Sequence, residues 1–574
     1  MTSISVIFAP CKRQDATTKT ERHVIGNKGL KIRWLAQLLL GLCLLDISLP
    51  VYSQSAGADI GFEWITQAGG RRAGGQSGGY AGIYGITTDA AGNSYIHGRL
   101  HEEAIFGATT LTNNVKYTES FIAKLDPAGN FIWAKQQPLG DGTTIPGSVT
   151  GETAYVTGIA ADSSGNCYIT GRFRSVITLG ATKFKSSNGG ANTDMFIAKM
   201  DNNGNFLWTK QIVGGSTNSG EGFPTDIAAD AAGNCYVTGA IHETVTFGST
   251  TLTGTWAGMP FITKLDPAGN FIWVNKIEGG HISSIEITGV AVDNSGNCYI
   301  AGGAHMGASF GPFTSHYNTS ADIFIAKLDA AGNFQWMKEA GYNTHRASDN
   351  EHDVVYEIAV DASGNSYITG LMNKTAIFGP TTLKTDNNWR VFIAKLDAAG
   401  DFLWARQIEG SAITNIHVLG IAADASGNSY VTGPYSSQKP SDPIPRDYIA
   451  GEPVFFGPDT LTTTKYVSMY IAKLDAGGNF LWAKGVDSAL SPGLMIGKGR
   501  IAANASGSCY LVGGFWGPVG AIALDANTLT PDNGDIFICK ISEREEGQGV
   551  GMAGGHAAGK ITPIPNPFSK RVHL

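Results

Sequence analysis

Two stretches decide the fold of this chain: Ile421–Gln438 reads IAADASGNSYVTGPYSSQ, and Val391–Gln407 reads VFIAKLDAAGDFLWARQ. Each holds two short runs rich in Ile, Val, Phe, Tyr and Thr, and the runs are separated by a turn containing Gly. Runs of this length and composition are typical of β-strands, and Gly closes a tight hairpin by adopting a left-handed conformation. The first stretch therefore predicts strands a and b of a repeating unit, and the second predicts strands c and d.

Both stretches recur along the chain. The a–b turn begins at Asp89, Asp162, Asp230, Asp293, Asp361, Asp424 and Asn504. Strand c begins at Phe121, Phe196, Phe261, Phe324, Phe392, Tyr470 and Phe537. Strand d, marked by a tryptophan, follows only the first six of these, at Trp133, Trp208, Trp273, Trp336, Trp404 and Trp482. The last unit therefore lacks its own strand d.

The missing strand is found at the other end of the chain, because Phe62–Gly70 matches the strand d that begins at Phe206. An N-terminal strand can complete the C-terminal unit only if the repeats close into a ring. Radial repetition of four-stranded sheets is a β-propeller, which leaves only short, protected edges. We therefore predict an all-β fold, a seven-bladed β-propeller of four-stranded antiparallel blades whose N-terminal strand closes the last blade.

The repeating signatures DxxGNxYxTG and FIAKLDxxGNFxW resemble those of the seven-bladed propeller repeat (SBBP) family of exported bacterial proteins. The resemblance covers Ala56 to Ile541 and recurs in every unit. It implies the propeller fold and an extracellular setting. It implies no general activity and no functional residues.

The regions outside the repeats indicate export. Residues 1–53 are predicted to be a leader with a signal peptide, because Lys31 and Arg33 precede a short apolar run that ends in small residues. We assign residues 54–542 to the propeller and 543–560 to a flexible linker rich in Gly and Ala. Residues 561–574 contain PNPFS, which resembles the start of the type IX secretion sorting domain of Bacteroidetes, in a truncated form. We therefore expect a secreted or cell-surface protein.

Composition excludes some function classes. The net charge is −7 and no basic run interrupts the repeats, so we expect no nucleic-acid partner. Five cysteines lie in the predicted mature chain, four of them in the same slot of strand b, and we interpret them as buried, reduced thiols. We predict no cofactor, no metal site, no membrane span in the mature chain, and a monomer.

Candidate ligand-binding residues lie in the b–c and d–a connections, which vary in length while the turns on the opposite face are nearly constant. Trp256, Trp389 and Trp516 stand in b–c connections, where exposed rings could contact a sugar or a peptide. A polar residue also recurs three positions after the strand b glycine, and Glu351, His352 and Asp353 form an acidic cluster on a long loop. The recurring polar residues considered as candidates are His101, Arg174, His242 and His305. Solvated loop residues and local packing are the simpler interpretations of all of them.

Three functional hypotheses follow. The first is an exported, non-enzymatic binding module for a protein or glycan ligand, which uses the b–c and d–a loop face. The second is a propeller glycan hydrolase or lyase with carboxylates at the channel mouth, for which Glu221, Asp226, Glu351, His352 and Asp353 are candidates. The third is a structural or adhesive surface module. No catalytic residue is assigned, and a lysine that recurs in every strand c is predicted to pair with a turn carboxylate.

Overall fold

A computed structural model defines the structure of the protein. It describes residues 59–71, 81–113, 119–136, 139–140, 154–187, 193–214, 222–255, 258–279, 285–304, 307–316, 322–341, 353–386, 389–410, 415–436, 453–462, 468–488, 495–516, 522–524, 527–529 and 535–544. The chain divides into two compact units, Met1–Gly57 and Ala58–Leu574, and every described residue belongs to the second. The predicted leader, linker and sorting motif thus lie outside the described residues, except for Glu543 and Arg544.

All named elements are β-strands, and most belong to a four-strand repeat. The first strands of the repeats are β2 (Ala81–Thr88), β9 (Ala154–Ala161), β15 (Gly222–Ala229), β21 (Ile285–Val292), β27 (Val354–Val360), the pair β34 (Asn415–Ile416) and β35 (Gly420–Ala423), and β41 (Met495–Ala503). The second strands are β3 (Ser94–Leu100), β10 (Cys167–Phe173), β16 (Cys235–Ile241), β22 (Cys298–Ala304), β28 (Ser366–Met372), β36 (Ser429–Ser436) and β42 (Cys509–Trp516).

The other two positions of the repeat are equally regular. The third strands are β6 (Glu119–Leu125), β13 (Asp194–Met200), β19 (Met259–Leu265), β25 (Asp322–Leu328), β31 (Arg390–Leu396), β39 (Ser468–Leu474) and β45 (Asp535–Arg544). The fourth strands are β7 (Phe131–Gln136), β14 (Phe206–Ile212), β20 (Phe271–Lys276), β26 (Phe334–Ala340), β32 (Phe402–Gln407), β40 (Phe480–Ser488) and, from the N-terminus, β1 (Asp59–Arg71).

Consecutive strands of each repeat pair in antiparallel fashion. Five repeats form separate four-stranded sheets, and the remaining two belong to larger sheets. The N-terminal strand β1 pairs with β45, from Asp59 opposite Arg544 to Gly69 opposite Asp535. The prediction that the N-terminus supplies the fourth strand of the C-terminal repeat is confirmed by this pairing.

A short hairpin between the second and third strands is a repeated element that the sequence analysis missed. The hairpins are β4 (Glu103–Phe106) with β5 (Thr109–Thr112), β11 (Val176–Leu179) with β12 (Thr182–Lys185), β17 (Thr244–Phe247) with β18 (Thr250–Thr253), β23 (Ser309–Phe310) with β24 (Phe313–Thr314), β29 (Thr375–Phe378) with β30 (Thr381–Lys384), β37 (Val454–Phe456) with β38 (Asp459–Leu461), and β43 (Ile522–Leu524) with β44 (Asn527–Leu529). Two further short strands, β8 (Leu139–Gly140) and β33 (Glu409–Gly410), extend fourth strands and pair with the next hairpin. The b–c connections are therefore not wholly variable loops, because each contains this hairpin.

The Asp-x-x-Gly turns have the structure that their residues predict. In the first turn, the Asp89 carboxylate accepts hydrogen bonds from the backbone N–H groups of Ala91 and Asn93. Gly92 has a φ of 82°, which an L-residue adopts only with strain. The N–H of Gly92 donates to the Asp89 carbonyl and closes the turn.

Neighbouring sheets are joined through a tyrosine at the start of each second strand. The Tyr95 hydroxyl lies 3.0 Å from Asp89 Oδ2 in its own turn and 2.7 Å from the Gly165 carbonyl oxygen in the next. The same contact joins Tyr168 to Gly233, Tyr236 to Gly296, Tyr299 to Gly364, Tyr367 to Gly427 and Tyr430 to Gly507. Tyr510 then contacts the Gly92 carbonyl at 3.1 Å, so the contacts return from the last repeat to the first.

Tryptophans and lysines reinforce the same junctions. The Trp64 indole N–H donates to the Pro127 carbonyl at 2.9 Å, which again joins the last repeat to the first. The predicted pairing of strand c lysines with turn carboxylates is found at Lys124, Lys199 and Lys395, whose Nζ atoms lie 3.6–3.9 Å from Asp89, Asp162 and Asp361. The five cysteines of the described chain are buried and form no disulfide, as predicted.

We expect Tyr299→Phe to lower the free energy of unfolding by about 1–3 kcal/mol, because it leaves Asp293 and the Gly364 carbonyl one buried donor short. Tyr510→Phe is the matched control, since its turn carries Asn504 in place of the aspartate and the variant loses the Gly92 contact without affecting a turn carboxylate. Urea denaturation of both variants measures the difference. An equal or larger loss for Tyr510→Phe would contradict the importance of the carboxylate.

Candidate functional site

A cavity of about 360 Å³ lies where the first strands of the repeats meet. Its walls come from β2, β9, β15, β21, β27, β35 and β41, so every described repeat contributes. The volume falls within the range of pockets that hold small ligands. We call this space the central cavity.

A β-bulge sets the position of the most important lining residues. In β15, for example, the pairing with β16 shifts between Pro224 and Asp226, so that Thr225 has no partner across the ladder. A bulge of this kind re-aims the side chains beside it. We call the residue that follows each shift the bulge position. It is occupied in chain order by Gly85, Gly158, Asp226, Gly289, Glu357, Gly420 and Arg500.

Glycines at the bulge position create space for side chains from elsewhere. A Cβ atom at Gly85 would lie 2.5 Å from Nε2 of His97, so the imidazole occupies the room that this glycine leaves. A Cβ atom at Gly289 would lie 3.2 Å from Oε1 of Glu357, so this carboxyl group extends across the neighbouring strand. Three repeats thus place a charged residue at the bulge position: Asp226, Glu357 and Arg500. In a fourth repeat, His97 occupies the space that Gly85 leaves at this position.

The two acidic side chains converge on β21 from opposite sides. Asp226 reaches it from β15, and its Oδ2 accepts a hydrogen bond of 3.0 Å from the Val290 N–H. Asp226 Oδ1 also accepts from the Ile227 N–H at 2.8 Å. Glu357 reaches β21 from β27, beside Gly289. Asp226 and Glu357 are both half-buried, and both border the central cavity.

This arrangement favours the protonated form of Glu357. Burial, followed by the negative charge of Asp226, raises the pKa of Glu357 to about 8. Burial also raises the pKa of Asp226 to about 6, although its two backbone hydrogen bonds and the charge of Arg500 oppose the rise. At neutral pH the pair therefore consists mainly of an ionised Asp226 and a protonated Glu357.

Arg500 and His97 complete the set of polar groups. The Arg500 Nη1 group donates to the Leu419 carbonyl at 2.8 Å, which anchors the guanidinium at the cavity wall. Burial, together with the charges of Arg500 and Arg99, lowers the pKa of His97 to about 3. The imidazole is thus neutral at physiological pH, and its buried Nδ1 atom has no hydrogen-bond partner within the described chain.

Hydroxyl groups line the rest of the polar wall. The unpaired bulge residues Tyr84, Thr157, Thr225, Thr288 and Tyr356 all border the central cavity. Tyr356 is 38% exposed, so it is reachable from solvent. The Thr157 and Thr288 hydroxyls donate to the Thr170 and Ala301 carbonyls, so they leave acceptor oxygens at the cavity beside one carboxylate and one guanidinium.

Most of the sequence-proposed residues that the structure describes lie away from this cavity. Trp389 is 39% exposed at the start of a third strand. Arg174 donates from Nε to the Thr193 hydroxyl at 2.8 Å, and His101 is half-buried beside a hairpin. Asp353 is buried and accepts a hydrogen bond from the Asn373 N–H, which is a structural role.

The remaining candidates are outside the description or meet the cavity only in part. Trp256, His305, Glu351, His352 and Glu221 lie outside the described residues, and for Trp516 only the backbone in β42 is described. His242 packs against Phe223 with ring centroids 5.8 Å apart. Asp226, a candidate for the enzymatic alternative, is the one sequence-proposed residue within the described part of the chain that lines the central cavity.

Glu357, Arg500 and His97 were missed because the sequence around each has the pattern of an ordinary strand. Glu357 sits in the apolar-rich run of β27, and His97 takes a strand b slot that holds threonine in other repeats, such as Thr170 and Thr238. The available signal was the column of residues at one repeat position. Aligning the seven repeats at the bulge position gives four glycines, one Asp, one Glu and one Arg, and this contrast would have identified the site.

No protein-family model matches the chain. Among curated proteins, an uncharacterized WD repeat-containing protein of Acanthamoeba polyphaga mimivirus is 24% identical over 384 residues, in a match that covers 57% of this chain. The chain spans 26% of the length of that relative. This similarity is consistent with a repeat architecture and shows no family.

Solved structures with some likeness are remote. A protein of unknown function from Dyadobacter fermentans is 9% identical, with a TM-score of 0.32 over 84% of this chain and 99% of the other. A Synechocystis apocarotenoid oxygenase mutant is 8% identical, with a TM-score of 0.35 over 83% and 95%. A polysaccharide lyase acting on ulvan is 10% identical, with a TM-score of 0.32 over 63% and 91%. At these scores the likenesses carry no argument, and the fold rests on the strand pairing above.

Two further observations concern the described residues alone. No helix among them is long and apolar enough to cross a membrane. No group of three His, Cys, Asp or Glu side chains among them is placed to hold a metal ion.

We expect Glu357→Gln to stabilise the protein at pH 8 and to have little effect at pH 4. Because the pKa of Glu357 is raised from 4.5 to about 8, the folded chain keeps a proton that the unfolded chain releases, and stability falls as pH rises through this window. Glutamine removes that penalty, which is on the order of 4 kcal/mol at pH 8 for these two pKa values. Denaturation at both pH values measures the effect.

Glu286→Gln is the control for this experiment, because Glu286 is an exposed glutamate on the neighbouring strand β21. The free energy of unfolding of the Glu286→Gln variant should change with pH as that of the wild type does. A Glu357→Gln variant that also follows the wild-type profile from pH 4 to pH 8 would show that Glu357 ionises normally.

Proposed function

We propose that the chain is a seven-bladed β-propeller of the SBBP type that works outside the cell as a binding module, and that its ligand site is the central cavity. Seven repeats of four strands, joined in a closed cycle by Tyr510 and Gly92, support the blade count. Export and surface location rest on the predicted leader and the PNPFS motif. The specific SBBP assignment rests on the repeat signatures.

The observation that carries the binding role is the composition of the bulge position. Four repeats place glycine there and remain intact, so the fold does not need Asp226, Glu357 or Arg500 at this place. Burying two carboxyl groups near one another costs free energy. Polar residues that the fold does not require, grouped in a cavity, are typical of a ligand site.

The lining favours a glycan as the ligand. The hydroxyl groups of Thr157 and Thr288 donate to carbonyls of their own second strands, so their oxygens can accept hydrogen bonds from sugar hydroxyls. The rings of Tyr84 and Tyr356 can contact the apolar face of a sugar ring. Asp226 supplies an acceptor, while Arg500 and the protonated Glu357 supply donors. A volume of about 360 Å³ accommodates a short glycan segment rather than a folded protein.

We expect the full chain to retain one or more glycans on a polysaccharide array at pH 7. Asp226→Asn and Arg500→Gln should each weaken the dissociation constant at least about tenfold, which corresponds to about 1.4 kcal/mol. The control Glu286→Gln should bind as the wild type does. Titration calorimetry with the retained glycan provides the affinities.

The alternative ligand surface is tested in the same series. If Trp389→Ala abolishes retention and the two cavity variants do not alter it, the ligand binds to the loop face and the cavity assignment is wrong. If no glycan is retained, the glycan-binding function is wrong and a structural or adhesive role gains support.

A second candidate function is a glycan hydrolase or lyase, and the raised pKa of Glu357 is the observation that favours it. A carboxylic acid that is protonated near neutral pH, close to an ionised carboxylate, matches the needs of general acid catalysis. Glu357 would donate the proton and Asp226 would act as the ionised partner. Released sugars in the array, abolished by Glu357→Gln with binding preserved, would establish this function in place of the non-enzymatic one.

A further inference from the structure

A row of alternating rings and guanidinium groups runs across the first three repeats beside the central cavity. Arg99 places Cζ 5.1 Å from the Tyr84 ring centroid and 4.5 Å from that of Tyr155. Arg172 places Cζ 4.5 Å from the same Tyr155 ring and 6.0 Å from Phe223. His242 then packs against Phe223 at 5.8 Å. We call these six residues the cation–aromatic row.

The fold does not require this row. Arg99 and Arg172 occupy the position directly after the second-strand glycine, opposite Gly82 and Tyr155 respectively. In the other repeats this position holds Ala240, Gly303, Leu371, Pro434 and Gly514. The sheets pair in the same way with or without the arginines, so the row is a local addition to three repeats.

The row is continuous with the central cavity. Tyr84 belongs to both, because it lines the cavity and its ring also lies under the Arg99 guanidinium. The centroid of the same ring is 6.5 Å from that of the His97 ring. His97 in turn stands in the space left by Gly85. The positive charge of Arg99 also contributes to the lowered pKa of His97.

We propose that the cation–aromatic row is a subsite for the acidic sugars of a polysaccharide whose chain continues into the central cavity. This inference rests on the glycan-binding function proposed above and names the class of glycan. The charged groups of such a ligand are carboxylates or sulfates.

The chemistry of the row fits that ligand. A guanidinium held against an aromatic ring keeps its charge and is pre-organised in a plane that matches a carboxylate or a sulfate. Arg99 and Arg172 lie 4.5 Å from one ring centroid, so their Cζ atoms are no more than 9.0 Å apart (4.5 + 4.5). Neighbouring acidic sugars of an extended chain can therefore meet both arginines. All six residues are partly accessible, whereas a neutral core stack would be buried.

The test compares polygalacturonate, a polymer of acidic sugars, with neutral dextran on the full chain. We expect polygalacturonate to bind more tightly than dextran and to lose affinity as salt is added, because screening weakens ionic contacts. The double variant Arg99→Gln and Arg172→Gln should weaken polygalacturonate binding at least tenfold. Arg174→Gln, which removes the same charge two residues from Arg172 and outside the row, should weaken it less than twofold.

Several outcomes would overturn the subsite. Equal losses for Arg174→Gln and the double variant would show a diffuse charge effect. Equal affinity for polyglutamate would show that any acidic polymer suffices and that sugars are not recognised. Tight binding of neutral dextran with no preference for polygalacturonate would reject the subsite and leave the proposed glycan-binding function intact, whereas no binding of any polysaccharide would reject both.

A second pair of variants keeps the test decisive if the double glutamine variant fails to fold. Arg99→Lys and Arg172→Lys retain the charge but lack the planar guanidinium, so each should fold and weaken polygalacturonate binding about threefold or more. Unchanged affinity in both lysine variants would contradict a site that depends on guanidinium geometry. Thermal unfolding of each variant verifies the fold.

Discussion

The architecture depends on one contact, the tyrosine hydroxyl that lies between the aspartate of its own turn and a glycine carbonyl of the next. The aspartate is held by the backbone of the turn, and the tyrosine ring is fully buried, as at Tyr299 and Tyr367. One side chain therefore sets both the turn and the distance to the neighbouring sheet. Tyr510, whose own turn carries Asn504 in place of aspartate, keeps the contact to the Gly92 carbonyl, which unites the two ends of the repeat region.

The contacts that join neighbouring sheets lie at the turns. The first strands of the repeats, which line the central cavity, can therefore differ in sequence without loss of the fold. At the bulge position, a glycine costs little packing because the sheets are already held by Tyr, Trp and Lys elsewhere. The same freedom admits Asp226, Glu357 and Arg500, each once. The repeats are thus nearly identical where the fold is determined and distinct where the cavity is lined.

This division explains what the sequence could predict. Residues that recur along the repeats predicted the strands, the turns, the buried thiols and the role of β1, because repetition separates a consistent pattern from chance. The hairpins such as β17 and β18 recur too, but their variable flanks concealed them. Glu357 and His97 could not be recognised from local pattern, because their importance comes from a bulge and from glycines on other strands, which only the structure brings together.

The charged groups of the central cavity nearly balance one another. Asp226 and Arg500 offset one another, while Glu357 avoids a second buried negative charge by keeping its proton. A protonated acid, a neutral imidazole and a carboxylate in one cavity provide donors and acceptors without a large net charge. Under the proposed glycan function, this lining would meet sugar hydroxyls, and the acidic groups of a longer ligand would need a separate positive site. The arginines of the proposed subsite, Arg99 and Arg172, stand where Tyr84 joins the row to the cavity.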